Sequence, residues 1–276
     1  MDAPEIYLSA DEIASRIPDG ALIGVPKEDG GAAMEVTRAL IRRKAKGLRL
    51  FTVPVSSMQA DMLIGAGCVD EIETSGVSMG EFGFACRFRA AVQEGTIKIK
   101  DATCPALYAE LQASEKGVPF MPLRGILGSD IHANRDDWMT IDNPLADSGD
   151  PIVLLPAVKP DVALFHARYG DRYGNVWVGA RRECVLLAHA SASTLVTVEE
   201  IWDGNLMDDD RMLAGTIPPI YVDTVGHAPQ GAWPLSLNGA YERDGVHLRE
   251  YAGAAKTDDG FAAYLDQHVF GKQAAA

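Results

Sequence analysis

Short apolar runs alternate along this chain with longer segments in which apolar residues recur every three to four positions. The short runs predict buried strands, and the longer segments predict amphipathic helices. The predicted strands are residues 21–25, 48–55, 71–74, 97–99, 162–165, 195–198 and 220–225, with one more beginning at Ile152. The predicted helices are a short one through Ile13 and Ile17, residues 33–43, a segment through 62–64, residues 84–93, one starting near Pro105, a short one before residue 195, and residues 261–270. Strands that alternate with helices predict an α/β fold with an open, mostly parallel, doubly wound sheet and helices on both faces.

Capping residues mark four predicted helix starts. They are Ser9/Glu12 and Ser56/Gln59, which have capping-box spacing, Thr103 and Cys104 ahead of Pro105, and Asp258 with Asp259 ahead of the last helix. Gly95 sets the end of the helix over residues 84–93. Residues 130–150 are polar, and apolar runs resume directly after them, so we interpret this span as a surface loop. We expect a single domain, residues 1–276, with frayed residues 273–276.

Composition places the chain among ordinary globular proteins. Of its 276 residues, 47% are hydrophobic and 23% are charged. No apolar run approaches the roughly 18 residues that a membrane span requires. The first residues, MDAPEIYLSADEIASR, carry acids where a secretory signal would carry a basic region and an apolar block. These patterns predict a soluble, cytoplasmic protein that does not enter a membrane.

The excess of acidic residues bears on the ligands that the chain could bind. With 25 basic and 39 acidic residues, the formal net charge is −14, which repels the backbone of a nucleic acid. An anion would depend on helix N-termini, a partner chain or local cations. The local candidates are Arg168, Arg172, Arg181 and Arg182, for which a solvated rim of arginines is an equal alternative.

The four cysteines, Cys68, Cys86, Cys104 and Cys184, are far apart and form no CxxC pair. This spacing predicts free thiols, without a disulfide framework or a zinc site, and we expect no metal. Cys104 opens a predicted helix, where a thiol can become nucleophilic, so acyl transfer by this chain alone is an alternative. No histidine is placed by the sequence as its base, and a half-buried structural cysteine is the commoner case.

The segment DVALFHARYGDRYGNVWVGARRECVLLAHASASTLVTVEEI, residues 161–201, sets a buried strand, a polar turn, a short helix and a second strand in order. It predicts a unit of parallel sheet whose second strand stops at Glu199 and Glu200, at the edge where ligands gather. With PAVKPDVALFH, GVPFMPLRGILGSDI and APQGAWP, it resembles the A, or alpha, subunit of family I coenzyme A transferases of the glutaconate CoA-transferase type. The similarity covers nearly the whole chain.

The resemblance implies the family I subunit fold, an acyl-CoA substrate and a short carboxylic or dicarboxylic acid. Members of the family move CoA through a glutamate carboxylate that attacks the thioester and then carries CoA. In two-chain members that glutamate belongs to the B subunit. We therefore expect no nucleophile in this chain, a partner B subunit in an A2B2 heterotetramer, and a cleft that the two chains share. Whether CoA touches this subunit stays open.

A carboxylate substrate needs hydroxyls and backbone amides aimed at its oxygens, ideally at helix starts. Three places after predicted strands meet that need: Ser56 with Ser57, Ser75 with Gly76, and Thr103 with Cys104. In the resemblance, the last two align with positions that contact the acyl substrate, and Ser57 falls beside another. An ordinary cap or turn role is the alternative for each hydroxyl.

Three further side chains are candidate substrate contacts. Glu81 lies in the Gly-rich loop SGVSMGEFGF, where a solvated glutamate is the common alternative. Arg124 follows a Pro-rich segment and could clamp a carboxylate with two hydrogen bonds or anchor its own loop. Ser129, with Gly125 and Gly128, is a loop former that allows close approach of the backbone.

Five residues of the 161–201 segment have expected structural roles. Asp171 and Asn175 in GDRYGNV are family-like and predict a hydrogen-bonded turn. His166 follows a buried strand and is expected to be a satisfied core histidine. Glu199 and Glu200 are expected to tie loops or the partner chain.

Two departures from the family limit what can be carried over. Residues 25–31, VPKEDGG, stand where A subunits usually have Gly-Gly-Phe and then a basic-Pro pair, so contacts in this loop are not transferred. A hydrolase branch that opens cyclic β-diketone CoA thioesters uses an acid near the position of Cys104, and Asp101 is the nearest acid here. The alternatives to a transferase are the A subunit of such a hydrolase, or a non-catalytic subunit that binds an acyl-CoA and regulates a partner.

Overall fold

The computed structural model describes residues 5–27, 30–147 and 149–271. The strands are β1 Glu5–Leu8, β2 Leu22–Pro26, β3 Leu48–Val53, β4 Val69–Thr74, β5 Lys98–Asp101, β6 Phe120–Leu123, β7 Met139–Asp142, β8 Pro151–Pro156, β9 Val162–Asp171, β10 Val176–Trp177, β11 Ser193–Trp202, β12 Thr216–Ile217 and β13 Thr224–His227. The helices are α1 Ala10–Ser15, α2 Met34–Arg42, α3 Met58–Gly65, α4 Cys86–Glu94, α5 Cys104–Glu115, α6 Asp130–Ala133, α7 Arg182–Ala190, α8 Asp210–Leu213, α9 Gly245–Ala254 and α10 Asp258–His268.

A ten-stranded sheet forms the centre of the molecule. Its main path runs β1-β13-β11-β9-β2-β3-β4-β5, and every pair along it is parallel. β10 pairs antiparallel with both β9 and β12. The predicted mostly parallel, doubly wound sheet is confirmed. Because the strand order reverses between β9 and β2, the loops that leave β2 to β5 lie along one half of the carboxyl edge.

Two apolar cores flank the sheet because successive strand residues face opposite sides. In β9, Val162 and Leu164 belong to the core formed with α1 to α4, α9 and α10. Ala163 and Phe165 belong to the second core, which α5, α7 and a small sheet cover. The predicted helices on both faces are therefore present. No helix in the described ranges combines the length and apolarity that a bilayer span needs.

The small sheet corrects the interpretation of residues 130–150 as a surface loop. α6 and β7 lie in this span, and β7 joins an antiparallel sheet in the order β6-β8-β7. Most side chains of β7 are exposed, so the strand has no apolar alternation to reveal it. Arg135 and Trp138, which precede the strand, are both buried. The single-domain assignment stays a prediction.

Several helix ends agree with the sequence, since Ser9 and Glu12 form the predicted capping box, Thr103 caps α5, and Gly95 ends α4 at a φ of 67°. Two capping assignments are wrong. Ser57, not Ser56, precedes α3 and makes no side-chain cap bond. Thr257, not the Asp258–Asp259 pair, caps α10 by accepting from the amide of Gly260. Residues 273–276, expected to fray, lie outside the described residues.

In the second half of the chain, the structure differs from the sequence-based predictions at three further places. β11 does not stop at Glu199 but continues to Trp202, because its register with β9 extends to Asp171. Residues 220–225 were expected as one strand, yet a 3₁₀ turn at Pro219–Tyr221 precedes β13. α9 forms where the sequence looked irregular. Asp244 makes this possible, since its carboxylate accepts from the first amides of the helix.

Candidate active site

The loops after β3 and β4 lie side by side at the carboxyl edge of the sheet. The amide of Ser56 donates to the carbonyl of Gly76 at 3.2 Å, and the amide of Ser78 donates back to the carbonyl of Ser56 at 3.0 Å. The hydroxyl of Ser75 donates to the carbonyl of Pro54 at 2.8 Å. These bonds hold both loops as one edge platform, so the side chains on it have fixed positions.

The start of α5 adds to this platform. Thr103 is the N-cap, and its hydroxyl oxygen accepts from the amide of Ala106 at 3.4 Å. Cys104 is exposed, with its Sγ 3.4 Å from the Oγ of Ser75. Because Ser75 donates its single hydrogen to Pro54, the thiol of Cys104 is the donor toward Ser75. The structure thus brings together Ser75, Thr103 and Cys104, three of the predicted substrate contacts.

Ser57 lies on the same platform at the start of α3. Its side chain is buried, and its Oγ has no hydrogen-bond partner in the structure. A buried hydroxyl without a partner costs about 1–3 kcal/mol. The first amides of a helix also lack intrahelical partners. Ser57 and the start of α3 therefore offer hydrogen-bond capacity to an anion.

Cys104 has no base beside it. Within the described ranges, no histidine or carboxylate hydrogen bonds to its Sγ, and such a partner is what activates a thiol nucleophile. Two of the other thiols are structural, since burial raises the pKa of Cys68 to about 11 and that of Cys184 well above its usual range. The geometry does not support acyl transfer by this chain alone.

Glu81 is paired away from the platform. Its carboxylate accepts from the guanidinium of Arg243 at 2.8 Å, and that guanidinium lies over the ring of Phe82. This pair ties the loop after β4 to the segment before α9. A substrate contact by Glu81 stays a prediction and requires exchange of the arginine partner.

Arg124 and Ser129 lie after β6, and no contact in the described part of the chain links them to Ser75 or Cys104. Arg124 makes two hydrogen bonds to Asp150, one of them at 2.9 Å, which is the loop-anchoring arrangement. These bonds, together with one from Asn143, lower the pKa of Asp150. Ser129 caps α6 by accepting from the amide of His132 and donates to a backbone carbonyl. Roles of both residues in substrate binding stay predictions.

A buried charge network lies directly behind the platform, and the sequence did not reveal it. Arg135 donates to Glu73 of β4 at 2.7 Å, to the carbonyl of Asp101 at the end of β5 at 3.1 Å, and approaches Glu110 of α5 at 3.5 Å. The indole of Trp138 donates to Glu110 at 2.9 Å. Burial, and then the charge of Glu73, raises the pKa of Glu110 to about 9. The network fixes the ends of β4 and β5, which lead into Ser75 and Cys104. One sign of it was visible in the sequence, the presence of Arg135 and Trp138 within an otherwise polar span.

The crevice between the ends of β2 and β9 lies where the strand order reverses. Gly31 has a φ of 94°, and a Cβ there would lie 2.0 Å from the carbonyl oxygen of His166, so only glycine suits this position. Arg168, Trp177 and Arg181 line the crevice. The Nε of Arg168 and the Nε1 of Trp177 are buried without a partner. Of the four arginines that the sequence offered as local cations for an anion, Arg168 and Arg181 lie in this crevice, at the kind of position where doubly wound folds bind ligands.

Four of the five residues with expected structural roles make hydrogen bonds that fit those roles, whereas Glu200 is exposed and its role stays a prediction. His166 is fully buried, with Nδ1 2.8 Å from the hydroxyl of Thr197 and Nε2 3.1 Å from Glu199, and burial lowers its pKa. Glu199 accepts from the amide of Gln230 and so ties a loop to β11. Asp171 accepts from two amides of its own turn, from the side chain of Asn175 and from a backbone amide after β11.

Fold and edge together define a doubly wound α/β protein whose sheet edge presents hydroxyls and helix starts. The chain belongs to the coenzyme A transferase family, whose sequence pattern matches residues 7–228.

The chain is similar to relatives with related names. The A subunit of the 3-oxoadipate CoA-transferase of Pseudomonas knackmussii is 31% identical, over 84% of this chain and 82% of that protein. The A subunit of the glutaconate CoA-transferase of Acidaminococcus fermentans is 30% identical, over 76% of this chain and 70% of that protein. An uncharacterized protein of Archaeoglobus fulgidus is 31% identical over 96% of this chain, which spans 59% of that protein's length. The cholesterol ring-cleaving hydrolase IpdA subunit of Rhodococcus jostii is 26% identical over 96% of this chain.

Two solved structures are similar to this chain over nearly its whole length. The crystal structure of glutaconate coenzyme A-transferase from Acidaminococcus fermentans has a TM-score of 0.89 at 25% identity, covering 98% of this chain and 90% of that one. The crystal structure of the C56S variant of the decarboxylase AibA/AibB has a TM-score of 0.84 at 27% identity, covering 98% and 100%. The predicted resemblance to CoA-transferase A subunits is confirmed, as is the prediction of an enzyme that uses CoA thioesters.

Proposed function

We propose that this chain is the A subunit of a heteromeric CoA-transferase and supplies one wall of the acyl site, while a B subunit supplies the nucleophilic glutamate. The observation that carries the proposal is the Ser75–Cys104 contact on the edge platform, where hydrogen-bond donors converge and none of the described residues acts as a base for the thiol. Such a surface orients a carboxylate and cannot by itself divide acyl transfer into two steps. The chemistry therefore needs a second chain.

The acid in this proposal is a short carboxylic or dicarboxylic acid. Ser57 offers an unpaired buried hydroxyl, and Thr103 accepts one bond and keeps its hydroxyl hydrogen for a ligand. Ser75 and Cys104 receive the same carboxylate by re-aiming a hydroxyl and a thiol hydrogen. The starts of α3 and α5 add the favourable field of two helix N-termini.

The arginine-lined crevice bears on where CoA lies. A net charge of −14 opposes an anion over most of the surface. Arg168 and Trp177 each hold a buried N–H without a partner at the strand-order reversal, so a phosphate of CoA is a ligand that both can bind. This supports a direct contact between CoA and this subunit.

Assembly as an A2B2 heterotetramer and a cytoplasmic location complete the proposal. The names of the relatives support a partner, since both CoA-transferase relatives are A subunits by name. The edge platform is the face that the partner covers, because a shared cleft must close over the substrate to exclude water.

The test compares the chain alone with the chain co-expressed with its B subunit, in an assay of CoA exchange between an acyl-CoA and a free acid. We expect activity in the pair only. Borohydride reduction or hydroxylamine treatment in the presence of acyl-CoA, followed by mass mapping, is expected to modify a glutamate of the partner. Full activity of the isolated chain, or modification of Cys104 or Glu81, contradicts the proposal. Cys104→Ser is the matched variant, which is expected to keep the trapped glutamate on the partner.

A second candidate is decarboxylation of an acid bound in the same cleft. The observation that favours it is the similarity to the decarboxylase AibA/AibB over 98% of this chain. Release of CO₂ without an acceptor acid supports this candidate. Release of free CoA under the same conditions supports the alternative given in the sequence analysis, the A subunit of a CoA-thioester hydrolase. Transfer of CoA to an added acid, with neither product, supports the transferase.

A further inference from the structure

A second group of chemically active side chains lies away from the edge platform, between α9 and α10. His247 and Glu250 are three residues apart on α9, and His268 is the last residue of α10. Their potential ligand atoms all lie within 4.8 Å of one another. The Nδ1 of His247 is 3.6 Å from one oxygen of Glu250, and the Nε2 of His268 is 3.3 Å from the other. We call these three residues the His–Glu–His cluster.

The surroundings of His247 favour a ligand at its Nδ1. Its Nε2 is 2.7 Å from the hydroxyl of Tyr264, and the ring is buried against Trp233. The Nδ1 faces the carboxylate of Glu250 at 3.6 Å, and a ring hydrogen placed on Nε2 and donated to the hydroxyl of Tyr264 leaves the Nδ1 lone pair for a metal. Metal-binding histidines commonly donate their other ring N–H in this way, which fixes the ring and its tautomer.

The cluster can also close around an ion. Tetrahedral zinc with bonds of about 2.0–2.1 Å places neighbouring ligand atoms roughly 3.4 Å apart. The two contacts with Glu250, 3.3 and 3.6 Å, are close to this spacing but involve its two different oxygens, so the carboxylate must rotate to bring one oxygen to the ion. Glu250 is exposed and His268 is half-buried, so both can rotate toward the fixed His247.

We propose that the His–Glu–His cluster binds one divalent transition-metal ion of the zinc type, with two imidazoles, one carboxylate and water as ligands. Imidazole ligands favour zinc, cobalt and nickel over magnesium and calcium, which prefer oxygen. The ion joins α9 to α10, the helices that cover one core of the sheet, and so stabilises this end of the molecule. The site is independent of the proposed transferase chemistry.

The experiment uses untagged full-length protein freed of metal with a chelator, titrated with Zn²⁺ by calorimetry and with Co²⁺ by visible absorption. We expect one ion per chain, a rise in the melting temperature with Zn²⁺, and Co²⁺ bands of a four-coordinate site. Glu250→Gln and His268→Ala are each expected to weaken binding at least 100-fold. Tyr264→Phe is expected to weaken it about 10- to 100-fold, since it removes the partner that orients His247.

The matched control is His189→Ala. His189 is also paired with a glutamate, Glu115 at 3.5 Å, but belongs to no three-ligand group in the described part of the chain. This variant is expected to bind Zn²⁺ like the unaltered protein. Absence of saturable binding, or binding that survives both Glu250→Gln and His268→Ala, overturns the proposal. Melting of each variant in chelator shows whether it is folded, so a loss of binding with an unchanged melt is assigned to the site.

Discussion

Replacing Glu110 by glutamine is expected to change how stability depends on pH. Glu110 is fully buried, and its pKa is raised to about 9, first by burial and then by the carboxylate of Glu73. In the unfolded chain the pKa of a glutamate is about 4.3. Between these two values the folded protein holds a proton that the unfolded chain has released. Unfolding therefore releases a proton, and stability falls as the pH rises.

The magnitude follows from the size of this pKa difference. One proton difference corresponds to about 1.4 kcal/mol of unfolding free energy per pH unit. Across pH 5 to 8, three units, the contribution of Glu110 to stability declines by up to about 4 kcal/mol. This contribution is fully present below the pKa of Glu110 in the unfolded chain, and it is lost as the pH rises toward and through the pKa of Glu110 in the folded protein. Glutamine keeps an acceptor for the indole of Trp138, 2.9 Å away, and has no proton to release.

Urea unfolding followed by tryptophan fluorescence, at several pH values from 5 to 8, measures this effect. The unfolding free energy of Glu110→Gln minus that of the unaltered protein is expected to rise steadily with pH. A constant offset of about 1–3 kcal/mol is also expected, because the new amide nitrogen is buried. The slope, not the offset, is therefore the test. Glu94→Gln, at an exposed position on α4, is the control substitution. Equal slopes for Glu110→Gln and the control refute the assignment of a buried proton to Glu110.

Three other substitutions test the site and the turns that support it. Ser75→Ala removes a hydroxyl of the edge platform and its bond to the carbonyl of Pro54, and is expected to lower kcat/KM for the acid about 5- to 30-fold, a loss of about 1–2 kcal/mol. Unchanged kinetics with several acids contradict its role. Gly31→Ala places a Cβ 2.0 Å from the carbonyl of His166 and is expected to destabilise the fold by at least about 2 kcal/mol, measured by denaturant unfolding. Asp171→Ala removes four accepted hydrogen bonds and is expected to cost about 3 kcal/mol, and a melt like that of the unaltered protein speaks against the turn's structural role.

Much of the sheet could be predicted because its strands carry local signals. β2 and the first half of β9 are nearly continuous apolar runs, and β3 is mostly apolar, as is typical of strands buried on both faces. Thr103 was recognisable as a helix start from Pro105, and α5 begins there. The hydroxyls after β3, β4 and β5 were also recognisable, because their position depends only on where each strand ends.

The pairing of side chains could not be predicted in the same way. Arg124 and Asp150 are 26 residues apart, and Glu81 and Arg243 are 162 residues apart. No local pattern indicates that these charges meet. β7 escaped notice because it is held by backbone bonds to β8, which carry no side-chain signal.

The sequence by itself determined the alternation of strands and helices, the family and the edge of the sheet at which chemistry belongs, because strand burial and helix capping act over a few residues. Only the tertiary structure decided that the thiol of Cys104 meets the hydroxyl of Ser75, that Arg135 lies between two buried glutamates, and that His268 joins the histidine and glutamate of α9. Each of these depends on how distant segments pack. Packing is set by the sum of many weak contacts across the whole core, and no short stretch of residues encodes that sum.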